Sequence, residues 1–187
     1  VQRHAQVRST FSVLRLDPLG EGEVLALLAA RYRHLVRDAS EPVIPPVDDD
    51  AVRAIHALFR GDLRGLLKAL EDGVIPNLGL VESRRPLTLA ELRPTLAAVY
   101  TAELHAEADE VRIAQLARWA EAGVEAVMTQ KALTTLWGLK QPSVSQALAS
   151  LAARGWVTAL PRVGAKPIEY VLSGTSRLIF APGPAAA

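Results

Sequence analysis

The stretch "GLKQPSVSQALASLAARGW", residues 138–156, constrains the fold more than any other part of this 187-residue chain. Its first two residues predict a tight turn, Pro142 suits the first position of a helix, and Gly155 suits the end of that helix. Four apolar residues recur at helical spacing and predict one buried stripe: Val144, Ala147, Leu148 and Leu151. The other positions are polar or small, so we expect an exposed face that begins directly after the turn.

The flanking residues extend this helix into a larger motif. "TQKALTTLWG" predicts a short preceding helix with three inward residues: Ala132, Leu133 and Leu136. After the second helix, "WVTAL" and "IEYVL" alternate apolar and polar residues as paired strands do, and "PRVGAKP" joins them as a loop. Helix, turn, helix and hairpin is the order of a winged helix-turn-helix, so we expect a mainly α fold with a small β-hairpin.

The charged residues are distributed unevenly along the chain, although the net charge is only +1. Residues 129–187 contain six basic residues and one glutamate, whereas residues 1–128 contain fifteen basic and nineteen acidic residues. This excess of positive charge in the C-terminal third indicates a polyanionic partner for that part of the chain. For a winged helix-turn-helix, the partner is expected to be double-stranded DNA.

In a helix-turn-helix, the start of the second helix meets base edges in the major groove, and flanking groups hold phosphates. The predicted DNA-binding residues therefore lie at the starts of both helices and in the hairpin loop: Thr129, Gln130, Lys131, Lys140, Gln141, Ser143, Ser145, Gln146, Arg162 and Lys166. The positive charges lie around the reading helix, which itself begins with Gln and Ser, so we expect modest sequence preference. A winged helix that contacts protein rather than DNA is the alternative.

The first 75 residues read as helices separated by proline-rich and glycine-containing breaks. Helices are predicted over residues 22–37, 49–59 and 63–73. Asp48 and Asp62 are predicted to cap the second and third of them, which also explains the run of aspartates at 48–50 without a metal. Gly73 is predicted to end the third helix.

Further helices are predicted before the turn at residue 138. Thr88 and Glu91 form a T-x-x-E capping box, and Pro94 is either tolerated early in the helix that follows or marks a second start. Another helix, over residues 107–120, carries Val111, Ala114, Leu116 and Trp119. The three tryptophans of the chain are predicted to belong to the core: Trp119, Trp137 and Trp156.

Two parts of the chain resemble parts of AAA+ ATPases of the initiator clade. "LRLDPLGEGEVLALLAARYRHL" and "DDDAVRAIHALFRGDLRGLLKAL" are similar to the helical lid subdomain of that family. The run from "MTQKALTTLWG" to "SRLIF" resembles the MarR-type winged helix. A lid followed directly by a winged helix is typical of the origin-recognition and Cdc-type loaders, so the resemblance implies an AAA+-type helical lid followed by a winged helix-turn-helix.

The resemblance also implies a nucleotide-binding role for Arg64, which matches the sensor-2 arginine in the segment "GDLR". In that family, this arginine reaches the γ-phosphate of ATP bound in the ATPase core. From the residues alone, a salt bridge with Asp62, Glu71 or a neighbouring helix is the alternative reason for a cation here. The four histidines are scattered without ligand spacing, so no metal site is predicted, and no catalytic residue is predicted either.

The sequence lacks the motifs of the ATPase core itself. It contains no G-x-x-x-x-G-K-[ST] and no hydrophobic strand ending in two acidic residues. We therefore expect that this chain is not an enzyme and holds no cofactor. The core, with its ATP and Mg²⁺, is expected in a longer parent protein, which would be the ATPase and would also bind other subunits.

The expected organisation divides the chain into five parts. Residues 1–16 would be a remnant of the upstream core or a linker, 17–80 the lid-like domain, 81–106 a connecting helix, 107–180 the winged helix, and 181–187 a disordered tail. No apolar run approaches about 18 residues and there is no cysteine, so a cytoplasmic protein without a membrane partner is expected. A stand-alone MarR-like transcription regulator is the alternative to the ATPase fragment.

Overall fold

The computed structural model describes residues 18–35, 43–77, 85–162 and 164–181, which form eight α-helices and one three-stranded antiparallel sheet. The elements follow in this order: α1 (Glu21–Leu35), α2 (Asp49–Leu58), α3 (Leu63–Val74), a 3-10 turn (Ile75–Asn77), α4 (Leu89–Glu107), α5 (Glu110–Glu121), β1 (Met128–Thr129), α6 (Gln130–Trp137), α7 (Gln141–Ala153), β2 (Val157–Ala159), β3 (Glu169–Leu172) and α8 (Gly174–Phe180). The expectation of a mainly α fold with a small β element is confirmed. The predictions for residues 1–16, for the end of the first helix at 36–37 and for the tail at 182–187 lie outside the described residues.

Local hydrogen bonds explain where several helices begin. The Asp48 carboxylate accepts a hydrogen bond from the Ala51 N–H at 2.6 Å, and the Asp62 carboxylate accepts from the N–H groups of Arg64 and Gly65 at 3.1 and 3.2 Å. Both caps are therefore confirmed, because each satisfies backbone donors that the first turn of a helix leaves free.

Among the described residues, no helix is long and apolar enough to cross a membrane.

Gly73 does not end the third helix, and that prediction is wrong. Helix α3 continues to Val74 and passes into the 3-10 turn, while Gly73 itself is buried against α4. A Cβ added at Gly73 would lie 3.0 Å from Leu92 Cδ2 and 3.4 Å from Leu96 Cδ2. Gly73 therefore lets α3 and α4 approach closely. The sequence around it does not show this contact, so the glycine was interpreted as the end of the helix.

Helix α4 runs without interruption through Pro94, so the proline is tolerated and marks no second start. Its capping box is confirmed, because the Glu91 carboxylate accepts from the Thr88 N–H at 2.9 Å and from the Thr88 hydroxyl at 3.0 Å. The side chain of Arg85 also donates to this carboxylate.

The Glu91 contacts lead to a pH-dependent stability. Hydrogen bonds from Arg85, then from the backbone and hydroxyl of Thr88, lower the pKa of Glu91 to about 2. Because its unfolded pKa is about 4.3, the ionised carboxylate stabilises the fold fully above that pH, and this contribution is lost as pH falls towards 2. We expect Glu91→Gln to lower the urea midpoint at pH 7 and to flatten the decline of that midpoint between pH 4.5 and 2.

The exposed Glu121 at the end of α5 supplies the control for this experiment. Glu121→Gln should retain the wild-type dependence of the urea midpoint on pH. An equally steep acid decline in Glu91→Gln would show that the capping box does not contribute to acid sensitivity.

Two hydrophobic cores lie along the chain. The first contains residues of α1 to α4, with Ile55, Leu66 and Leu92 among its most buried members. The second contains residues of α5 to α7 and the sheet, including the three tryptophans as predicted. The rings of Trp119 and Trp137 meet edge to face with their centroids 6.2 Å apart.

Helices α4 and α8 join these two cores. Helix α4 places Leu96 in the first core and Leu104 in the second. Helix α8 follows the sheet in sequence, yet its Leu178 is buried in the first core, and Ile179 packs against both. The two sets of helices are therefore held together by buried apolar contacts as well as by the chain itself.

The predicted hairpin is confirmed, since β2 and β3 pair antiparallel with Val157 opposite Leu172 and Ala159 opposite Tyr170. The two-residue strand β1 was not predicted, and it pairs with the other edge of β3 to give the order β1-β3-β2. Because β1 leads directly into α6, its pairing fixes where that helix begins.

Three details of the helices near the sheet differ from the sequence-based predictions. Ala132 is exposed rather than inward, and Trp137 takes that place beside Leu133 on the buried face of α6. Helix α5 begins at Glu110, and its Val111 is 61 % exposed. Helix α7 begins at Gln141, so Pro142 occupies its second position, where the missing N–H is equally harmless.

Candidate nucleic-acid interface

Helix α7 exposes the residues that were predicted to read bases. Gly138 takes the left-handed conformation, with φ 65°, and ends α6, so the chain turns and restarts at α7 within three residues. The predicted apolar stripe of α7 is buried and faces the second core. The predicted polar contacts on this helix are all exposed: Gln141, Ser143, Ser145 and Gln146.

The N-terminus of α7 retains free backbone donors. Lys140 stands at the N-cap position, but its side chain makes no capping hydrogen bond, and it is exposed. The first turn of a helix leaves its N–H groups without helical partners, and these groups attract anions. This end of α7 therefore combines an exposed cation with N–H groups that its N-cap side chain leaves unbonded.

The start of α6 presents a second set of polar groups. The Thr129 hydroxyl oxygen accepts a hydrogen bond from the Ala132 N–H at 3.2 Å, which leaves its own O–H free to donate. The Gln130 side chain donates to the Tyr170 hydroxyl at 3.4 Å, so β3 holds it in place. The Lys131 ammonium is exposed and forms no ion pair within the described ranges.

The loop between β2 and β3 carries the two remaining predicted contacts. Arg162 Nε donates to the backbone oxygen of Lys166 at 3.0 Å, across a turn in which Gly164 has φ 63°. This bond fixes the stem of Arg162 but leaves its terminal nitrogens exposed, together with the Lys166 side chain. Neither cation has an acidic partner in the described part of the chain.

These three segments meet in one cleft of about 430 Å³. Seven residues line it, and they define the basic cleft: Thr129, Gln130, Lys131, Gln141, Arg162, Pro167 and Ile168. Five of the ten predicted DNA-binding residues are thus brought together. The other five are exposed but do not line the cleft: Lys140, Ser143, Ser145, Gln146 and Lys166.

The lining of the basic cleft is suited to an anion. It contains two permanent positive charges, one hydroxyl and two amide side chains, and no carboxylate. Pro167 and Ile168 were not predicted as lining residues, because nothing in a loop sequence shows which residues it turns towards a neighbouring helix.

Arg64 lies apart from this cleft, at the second position of α3. Its backbone N–H donates to the Asp62 carboxylate, but its guanidinium is exposed and forms no ion pair with any described residue. The alternative of a salt bridge with Asp62 or Glu71 is therefore not what the structure contains. A cation near a helix N-terminus gains nothing from the helix dipole, so the position of Arg64 has no local electrostatic explanation.

One basic residue of the C-terminal third is not part of its surface charge. Arg177 is 1 % exposed, and its Nη1 donates to the Leu58 carbonyl at the end of α2 at 2.6 Å. Burial, and then the nearby Arg60, lower the pKa of Arg177, while Glu125 opposes them. Five of the six basic residues of residues 129–187 therefore remain on the surface.

Comparison with known protein families, with curated proteins and with solved structures finds no match to this chain. Within the described ranges, no group of three or more histidine, aspartate or glutamate side chains is placed to hold a metal ion.

Proposed function

We propose that the C-terminal unit of this chain, from α5 to α8, is a winged helix that binds double-stranded DNA. Helix α7 takes the place of the second helix of a helix-turn-helix, and the β2–β3 loop takes the place of the wing. The single observation that carries the proposal is the basic cleft, where the starts of α6 and α7 meet that loop. All ten predicted contacts are at least partly exposed.

The donors of the cleft match the chemistry of a DNA backbone. A phosphate accepts hydrogen bonds and carries a negative charge. Lys131 and Arg162, which both line the cleft, supply hydrogen-bond donors and positive charge. Lys140 and Lys166 add two exposed positive charges and are adjacent in sequence to the lining residues Gln141 and Pro167. No carboxylate lines the cleft, and Glu169, which is exposed, pairs with Thr129 in the sheet beside it.

The exposed tip of α7 implies modest discrimination between sequences. Gln141 and Gln146 are able to pair with adenine, whereas the serines accept several base edges. Guanine is most often recognised by arginine or lysine, and the exposed face of α7 carries neither. We therefore propose that affinity comes mainly from phosphate contacts and that sequence preference is weak.

We propose further that helices α1 to α3 form an AAA+-type lid, so that the chain is part of an ATPase of the initiator clade. The free guanidinium of Arg64 supports this proposal, because an exposed cation without an ion pair is available to a phosphate. In the intact protein, ATP and Mg²⁺ would be bound mainly by the core, and Arg64 would supply charge at the γ-phosphate.

The dependence of binding on salt tests the proposed DNA contact. If four cations contact phosphates, the affinity for a 20-base-pair duplex should fall about 100-fold between 50 and 200 mM salt. Fluorescence anisotropy of a labelled duplex measures this slope, and a single strand of equal length serves as the comparison. Absence of duplex binding at 50 mM salt would contradict the proposal and favour a protein-binding winged helix.

A further inference from the structure

A small ionic cluster connects the first set of helices to the segment that precedes β1. Arg60 Nη2, just after α2, donates to the Glu125 carboxylate at 2.8 Å and to the Glu125 backbone oxygen at 3.2 Å. The buried Arg177 places its Nη1 3.7 Å from the same carboxylate. We call Arg60, Glu125 and Arg177 the arginine–glutamate cluster, and one carboxylate serves two guanidinium groups in it.

The position of Glu125 along the chain gives the cluster its importance. Glu125 lies in the turn between α5 and β1, four residues before Thr129, where the basic cleft begins. The same turn is held from within its own unit, since the Trp119 indole donates to the Ala126 oxygen at 3.3 Å. The bonds from Arg60 hold the preceding residue of this turn from the other unit.

Arg60 has an unusual backbone conformation that serves this contact. Its φ of 50° makes it the only non-glycine residue with positive φ among the described residues. Residues other than glycine rarely adopt this conformation, and they retain it where the surrounding structure requires it. Here the turn after α2 directs the Arg60 side chain across to Glu125, 65 residues further along the chain.

We propose that Glu125 is a positioning residue for the basic cleft, which it holds by anchoring the turn before β1 to Arg60 and Arg177. This inference rests on the proposed DNA binding and adds a residue that touches no DNA. Without the carboxylate, Arg60 and Arg177 lose their shared counter-charge, and the turn keeps only the bond from Arg60 to the backbone oxygen of residue 125. Residues 126–131 would then move, and Thr129 and Lys131 would no longer meet Arg162 across the cleft.

Two variants remove the ion pair between residues 60 and 125, each by neutralising one of its two charges. Glu125→Gln makes the protein more positive by one charge, and Arg60→Gln makes it less positive by one charge. A charge effect alone would strengthen DNA binding in the first and weaken it in the second. Loss of positioning weakens binding in both, by about tenfold, with the salt slope unchanged because no phosphate contact is removed. Glu121→Gln, which carries the same charge change as Glu125→Gln, should bind at least as tightly as the wild type.

Amide hydrogen exchange of the full chain, followed by mass spectrometry, measures in the absence of DNA how firmly the turn is held. Both variants should exchange about tenfold faster over residues 124–130, while α7 keeps its wild-type protection. Wild-type exchange rates in both variants would overturn the inference, and so would faster exchange with unchanged duplex affinity. If the wild type fails to bind duplex, both the proposed function and the role of Glu125 in DNA binding are overturned. The exchange rates then still decide whether the cluster anchors the turn.

Discussion

Replacing Arg162 and Lys166 together with glutamate is expected to weaken duplex binding by at least about 100-fold at 50 mM salt. Each cation that contacts a phosphate contributes a charge-assisted hydrogen bond of about 1.5–3 kcal/mol. The double substitution removes two such bonds and places two carboxylates where the phosphates would lie. It also changes the net charge from +1 to −3, which opposes association over longer distances.

A matched pair of substitutions separates the local effect from the effect of net charge. Arg31 and Arg33 are exposed on α1, have no ion pair among the described residues, and belong to the other unit. Arg31→Glu with Arg33→Glu produces the same net charge, but it should weaken binding much less. Both proteins are compared by anisotropy and by thermal unfolding. Wild-type affinity in the Arg162 and Lys166 variant would show that the β2–β3 loop is not a DNA contact.

Gly174→Ala and Gly65→Ala are each expected to destabilise the fold by about 2–3 kcal/mol. Both glycines contact the ring of Phe59, which lies between the start of α3 and the start of α8. A Cβ added at either position would lie 2.7 Å from Phe59 Cε1, so the ring or the backbone would have to shift in either variant. Overpacking of this kind forces side chains and backbone out of their preferred positions.

Urea unfolding measures this cost as a lower midpoint with an unchanged slope. Phe59→Leu, placed in the Gly65→Ala background, should recover part of the loss because the smaller side chain makes room for the methyl group. Gly22→Ala is the control, since a Cβ there has nothing within 4 Å and lies on the exposed side of α1. That substitution should stabilise by up to about 1 kcal/mol. If the urea midpoints of Gly65→Ala and Gly174→Ala lay near that of the wild type, the packing of these glycines against Phe59 would not limit stability.

The features that could be predicted from the sequence are those set by neighbours along the chain. The caps at Asp48 and Asp62 and the capping box at Glu91 depend on residues at most three positions apart, and successive residues of the α7 stripe are also at most three apart. Such patterns are local, so a single sequence contains all the information that they require.

The features that were missed depend on residues far apart in sequence. Glycine commonly ends helices, so Gly73 was predicted to end α3. Its role is instead set by α4, which packs closely against it. From the sequence, Arg177 was counted among the basic residues expected to meet a polyanion. In the structure it is buried and donates a hydrogen bond to the Leu58 carbonyl, 119 residues earlier in the chain. Strand β1 has only two residues, which is too short to show the alternation of apolar and polar residues that predicts a strand.

The candidate site shows the same division. The exposed positions at the start of α7 follow from helical spacing, and they were predicted correctly as exposed. Their meeting with Arg162 and Ile168 depends on how a loop folds back against two helices, which spacing does not determine. The role of Arg64 remains a prediction from resemblance, supported by its lack of an ion pair within the described residues.

The position of Leu178 has a consequence for the order in which this protein can mature during translation. Leu178 completes a core whose other walls, such as Leu66, are synthesised on the order of 100 residues earlier. At roughly 5–20 residues per second, a ribosome needs about 5–20 s to cover that distance. During this interval the apolar residues of the first core that Leu178 later covers stay exposed.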